Sequence, residues 1–232
     1  MLTWTDAATN LVMDGNSLLA GAATSVPDRI GEKLLQLAPI SGAMTYKNVA
    51  VNGRTFIGML SAVANVHNSF VPGKQNLLFI LEGVNTANAG YDGPGIVKHC
   101  KNYVTAVKAA HPEWRIFILI APAFKDDANW PPLTSPGNTA IDYYNDYVRK
   151  NYKRLGVEGF VETRPTGGPL AYVPPYIYTE STFVKSGHYQ DDLHLNAAGN
   201  TIVAQYIADM LPSIPNIAPK STRGSPRILI GS

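Results

Sequence analysis

A hydroxyl, an imidazole and a carboxylate occur in this chain where nucleophilic catalysis could use them. Ser17 lies in the segment Asp14-Gly15-Asn16-Ser17-Leu18, directly after the apolar run Leu11-Val12-Met13. Far downstream, Asp191-Asp192-Leu193-His194-Leu195-Asn196 precedes the last helical pattern. A serine hydroxyl is a weak nucleophile until a base within roughly 2.6–3.2 Å removes its proton. His194 can be that base, and then the acid that protonates the leaving group. Asp191 can hold the imidazole in the correct tautomer and stabilise the imidazolium. Because Asp191 and His194 share one short loop, local geometry alone can set their relation. These are the parts required for acyl transfer through a serine.

A tetrahedral intermediate also needs hydrogen-bond donors. The backbone N–H of Ser17, the backbone N–H of Gly53 in Val51-Asn52-Gly53-Arg54, and the side-chain amide of Asn85 in Gly83-Val84-Asn85 are the candidates for an oxyanion hole. Losing one such donor typically costs about 10²–10³ in turnover. This chemistry needs neither a metal nor an organic cofactor. Each block has a plainer reading in isolation. Gly15-Asn16-Ser17 suits a turn with Ser17 as a helix N-cap. Asp191 and Asp192 suit a cap for the final helix, although Asn196 is better placed, and His194 suits a satisfied core histidine. Gly53 and Asn85 suit turns. The spacing of His188, Asp191 and His194 would also allow a metal, but no further ligand is obvious.

The elements that must position these residues alternate along the chain. Short apolar strand candidates run over residues 11–14, 46–52, 76–82, 115–121 and 159–163. Between and after them lie helical patterns over 29–38, 55–70, 96–110, 141–155 and 197–211. Ile30, Leu34, Leu35 and Leu37 share one broad face of the first. Strands alternating with helices of this length imply a parallel sheet with helices on both faces. Continuous runs such as Ile116-Phe117-Ile118-Leu119-Ile120 suit strands buried on both sides. In such sheets ligands bind beyond the carboxyl ends of the strands. Ser17, Gly53 and Gly83–Asn85 follow successive strands, and His194 enters the last helix, so all fall on one edge.

Four blocks in this order resemble the SGNH (GDSL-type) hydrolases, a superfamily of flavodoxin-like α/β esterases and lipases. The family serine block matches residues 14–18, with Ser17 as nucleophile. The family glycine matches Gly53, the Gly-x-Asn block matches Gly83-Val84-Asn85, and the Asp-x-x-His block matches residues 191–194. The resemblance spans roughly residues 10–211. It implies a flavodoxin-like three-layer αβα fold with a central parallel sheet of about five strands. The usual Gly-Asp-Ser reads Gly15-Asn16-Ser17 here. The replaced residue is not the triad acid, Asn16 can still make local hydrogen bonds, and Asp14 can supply nearby charge. The Gly-x-Ser-x-Gly elbow of the α/β-hydrolases is absent, because position 19 is Leu.

With 232 residues the chain fits one domain, residues 1–211, followed by a Pro-rich basic tail, 212–232. Its one cysteine, Cys100, excludes an intrachain disulfide and a Cys-based zinc site. A net charge of +2 without a dense basic run argues against nucleic acid as a partner. The chain has no apolar stretch of about 18 residues, and its first residues do not read as a secretory signal. The expectation is therefore a protein that does not engage a membrane, with three locations open: cytoplasmic, virion-associated, or a mature form already processed. The tail suits an attachment arm to a partner chain.

Two irregular segments, 124–138 and 165–190, carry Trp130 and Tyr172, Tyr176 and Tyr189. Aromatic side chains beside a catalytic edge suit the apolar faces of sugars, and the expected substrate is an acylated carbohydrate that loses an O-acetyl group. The same triad would serve a lipolytic esterase or thioesterase. A catalytically silent glycan-binding or virion structural module would keep the fold without turnover.

Overall fold

The computed structural model describes residues 8–21, 26–37, 44–121, 136–163, 188–190 and 193–211. Five parallel strands form one sheet in the order β2-β1-β3-β4-β5. They are β1 (Thr9–Gly15), β2 (Thr45–Asn48), β3 (Gln75–Leu81), β4 (Arg115–Leu119) and β5 (Gly159–Val161). β1, β3 and β4 are buried along their whole length, whereas β2 alternates between exposed and half-buried residues. The continuous apolar runs thus became interior strands and the mixed ones the sheet edges.

This strand order is that of flavodoxin-like folds. The first crossover, through α2 (Ile30–Leu37), carries the chain to β2 on one side of β1. The second, through α3 (Phe56–Ser61) and α4 (Ala64–His67), brings it back to β3 on the other side. That reversal opens a crevice beyond the carboxyl ends of β1 and β3. Right-handed crossovers running in opposite directions place their helices on opposite faces. Accordingly α2 packs with α8 (Ala197–Met210), while α6 (Gly93–Ala110) packs with α3 and with α7 (Pro136–Asn151). The short helices α1 (Ser17–Ala20) and α5 (Val84–Asn88) stand at the crevice.

The elements differ from the sequence expectation where local chemistry intervened. The helix expected over 55–70 is broken into α3 and α4. Ser61 Oγ donates to the Ile57 carbonyl at 3.1 Å, a back-bond that loosens the helical ladder. The chain then tightens, with Ala62 N–H shared between the Gly58 and Met59 carbonyls. The segment expected to be irregular through Asn138 turns helical at Pro136, because proline suits a first helical turn. α6 starts earlier than expected for the same reason: Asp92 caps it, accepting from Gly95 N at 2.8 Å, and Pro94 lies in its first turn. The helix expected over 141–155 ends at Asn151 and continues as a 3₁₀ turn, Tyr152–Leu155. In α2, Ile30 and Leu34 are buried while Leu35 and Leu37 face outward, so its apolar face is narrower than the spacing suggested.

Among the described residues no helix is long and apolar enough to cross a membrane.

Candidate active site

β1 ends at Gly15, and a Cβ there would run into the Leu81 carbonyl oxygen of β3. Glycine at this position lets the two strands approach closely just where the crevice opens. Asn16 then leaves the sheet and caps α1, its Oδ1 accepting from Leu18 N at 3.0 Å. Asn16, not Ser17, is therefore the N-cap, and Ser17 is the first residue of α1. Asn16 O accepts from Leu19 and Ala20 N. Among the described residues no acceptor engages the Ser17 N–H.

His194 reaches this serine from the opposite end of the chain. Leu193 and Leu195 are buried on either side of it, while His194 is half-buried. The segment is braced by an antiparallel bridge between Tyr189 and Leu195. Gln190 N donates to the His194 carbonyl at 2.8 Å, and Asn196 N to the His188 carbonyl at 3.0 Å. Asn196 caps α8 through Gly199 N, as its position in the sequence suggested. The outcome is a contact of 2.9 Å between His194 Nε2 and Ser17 Oγ, across 177 residues of sequence. Ser17 is 8% exposed, so its hydroxyl faces the base from a largely dry setting. Asp191 lies outside the described residues.

The loop after β2 supplies the next donor. The Val49 and Val51 N–H groups still bond to β1, at the Met13 and Gly15 carbonyls, so the pairing runs on past Asn48. Asn48 Nδ2 donates to the Leu19 carbonyl at 2.8 Å and ties this loop to α1. Gly53 follows in an exposed turn at φ +72°, with open space where a Cβ would stand. No acceptor among the described residues engages its N–H either. The loop after β3 brings Asn85, 8% exposed, whose Nδ2 donates to the Arg54 carbonyl at 3.2 Å. That amide has a second hydrogen to offer. Ser17, Gly53 and Asn85 thus follow the carboxyl ends of β1, β2 and β3, Ser17 opening α1 and Asn85 in the first turn of α5.

Beneath these loops lie Asp14, which the sequence offered as a nearby charge, and partners that local patterns did not reveal. Asp14, 1% exposed, accepts from Gly15 N at 2.8 Å, from Arg54 Nη1 at 3.0 Å and from the Tyr103 hydroxyl at 2.5 Å. Burial pushes its carboxyl up to about 6, against the pull of the Tyr103 hydroxyl and the Arg54 charge. Burial also pushes the Tyr103 hydroxyl well above its usual range. Glu82, at the end of β3, is fully buried and accepts from Thr86 N at 2.9 Å and Thr86 Oγ1 at 2.7 Å. Thr86 Oγ1 in turn accepts from Phe56 N, joining the loop after β3 to the start of α3. Burial pushes Glu82 up to about 8. A charged residue directly after Gly53 was the one visible sign of Arg54. Tyr103 lies 89 positions from Asp14 and had none.

The expected substrate contacts are less fully described. Trp130, Tyr172 and Tyr176 lie outside the described residues. Tyr189 is half-buried and packs against the core, as a loop anchor does. Of the remaining histidines, His67 bonds to the Ala106 carbonyl and His111 stacks on Phe70, which agrees with structural roles for both.

Residues 15–202 match the GDSL-like lipase/acylhydrolase family. The chain belongs to this family. Its members are ester hydrolases, and the match takes in Ser17, Gly53, Asn85 and His194. No curated protein matches the chain. Solved structures share the family's fold at low identity. A carbohydrate acetylesterase family member from Sinorhizobium meliloti is 17% identical at a TM-score of 0.61, covering 88% of this chain and 97% of its own. A lipolytic G-D-S-L family protein from Veillonella parvula DSM 2008 is 13% identical at a TM-score of 0.63, covering 89% and 100%. The psychrotrophic esterase EstA from Pseudoalteromonas sp. is 13% identical at a TM-score of 0.57, covering 88% and 97%.

Proposed function

We propose that this family member is a serine esterase that removes O-acetyl groups from a carbohydrate, with Ser17 as nucleophile and His194 as base. The observation that carries the reading is the 2.9 Å contact between His194 Nε2 and Ser17 Oγ at the crevice between β1 and β3. His194 takes the Ser17 proton as Oγ attacks the acetyl carbonyl carbon. The negative charge on the carbonyl oxygen is met by the N–H groups of Ser17 and Gly53 and the Asn85 amide, the kind of donor set that stabilises an oxyanion. The intermediate collapses as His194 gives its proton to the departing sugar oxygen. Water then enters, gives a proton to His194 and attacks the acetyl-enzyme. Acetate leaves, and the proton returns to Ser17. Asp191, three residues before His194, is the group assigned to orient the imidazole.

The sequence supports a sugar ester: Trp130, Tyr172 and Tyr176 follow β4 and β5 in the chain, and their rings suit the apolar faces of sugars. Among the structural relatives is a carbohydrate acetylesterase family member, beside a lipolytic G-D-S-L family protein. The test is hydrolysis of p-nitrophenyl esters of increasing chain length, together with acetate release from an O-acetylated polysaccharide. Turnover that is fastest on acetate, with acetate freed from the polysaccharide, is the expected result. A preference for long chains would make the enzyme a lipolytic or thioester hydrolase instead, and a folded protein inert on every ester would leave a binding module.

A further inference from the structure

Acyl transfer leaves one buried charge pair at this site without a task. Arg54 contacts the strand that leads into Ser17, the loop that carries Gly53, and Asn85. Its Nη1 donates to Asp14 Oδ1 at 3.0 Å, on the strand that ends in the Ser17 turn, and to the Val49 carbonyl at 3.1 Å, on the approach to Gly53. Its own backbone follows Gly53, and its carbonyl accepts from Asn85 Nδ2 at 3.2 Å. Asp14 is fixed in turn by Tyr103 of α6 on its other oxygen. The side chains of Arg54 and Asp14 are 10% and 1% exposed. Packing alone does not call for such a pair, since apolar residues of similar volume are often as stable. What the pair adds is direction. Gly53 stands in an exposed turn closed only by Arg54 N donating to the Val51 carbonyl at 3.2 Å, with open space beside it, so the aim of its N–H depends on where Arg54 is anchored.

We propose that Arg54 is the positioning residue of the oxyanion hole, its guanidinium pinning the Gly53 turn to Asp14 and its carbonyl setting the Asn85 amide. The proposal rests on the acyl-transfer reading of Ser17. Arg54→Met keeps the aliphatic reach and removes the guanidinium, but it leaves Asp14 as a buried carboxylate without its cation. Arg54→Met/Asp14→Asn removes that carboxylate as well. For each, kcat and KM on p-nitrophenyl acetate, the melting temperature, and the Ki of phenylboronic acid are measured. Boronic acids form a tetrahedral adduct with a serine oxygen and so report on the oxyanion donors. A displacement of about 1 Å costs on the order of 10²-fold in rate. The expected result for Arg54→Met is a kcat lower by about that factor, a KM within about twofold, and a boronate Ki that rises in step with the lost kcat/KM. The double variant regains melting temperature but not kcat.

An unchanged kcat in Arg54→Met, or a kcat that returns with the melting temperature in the double variant, overturns the proposal. If Arg54→Met does not fold, the double variant and Arg54→Lys decide it on the same terms. Ser17→Ala is assayed alongside. Turnover that survives Ser17→Ala contradicts the acyl-transfer reading itself, whereas Ser17-dependent turnover indifferent to Arg54 contradicts only the positioning role.

Discussion

A serine hydroxyl next to an imidazole does chemistry only while both are held, and here the holding groups are buried polar residues. Glu82 is the clearest case. One of its oxygens accepts twice from Thr86, and among the described residues the other has no hydrogen-bond partner within bonding distance. Burial therefore favours the protonated acid, and the carboxyl is pushed from an ordinary 4.5 up to about 8. The sign of the consequence follows from proton counting. Between these two values the folded protein keeps a proton that the unfolded chain has lost, so stability falls as pH rises across that window. The slope is about 1.4 kcal/mol per pH unit. Glu82→Gln keeps the shape and the acceptor for Thr86 and does not titrate. Its melting temperature should gain on the wild type steadily from pH 5 to pH 8 and hold that advantage above. Parallel melting curves across this range would show that Glu82 does not titrate there.

At the scale of elements, the site is a set of loops that each end in a capped helix. Asn16 caps α1, Thr55 caps α3 and Asn196 caps α8. Each cap fixes where its loop stops, and so where Ser17, Gly53 and His194 stand. Replacing an Asn cap by Ala typically costs about 1 kcal/mol. Asn196→Ala should lower the melting temperature by roughly 2–4 °C for a chain of this size and reduce kcat, because His194 sits just before the cap. Asn196→Asp should restore both in a thermal melt and an ester assay, and an Ala variant as stable and active as the wild type would contradict the role. Much of this scale was legible in the sequence. All five strands were located within a few residues, most closely β1, β3 and β4, since strands buried on both faces carry a strong continuous signal. The capping residue of α8 was legible too. The break at Ala62 was not, because the apolar period runs through it and the cause is a side-chain back-bond at Ser61. Helices as short as α1 and α5 offer too few residues for any period to show. The Ser17–His194 contact was foreseeable only from residue types, and the Asp14–Tyr103 contact not at all, because nothing in a sequence ties a strand end to a distant helix face.

At the scale of the whole molecule, the fold's contribution is to bring chain positions far apart in sequence to one edge. The order β2-β1-β3 leaves a crevice that no single element makes, and the segment just before α8 places His194 at Ser17. Membership of the GDSL-like lipase/acylhydrolase family follows from the sequence, and the sheet order explains why its blocks work when so widely spaced. The central claim is that Ser17 is the nucleophile and His194 its base. It is tested most directly by treating the protein with diethyl p-nitrophenyl phosphate and locating the adduct by peptide mass spectrometry. One diethylphosphoryl group on Ser17, absent from Ser17→Ala and formed far more slowly in His194→Ala, is the predicted result. Labelling at any other residue, or an unlabelled wild type that still hydrolyses esters, would contradict it.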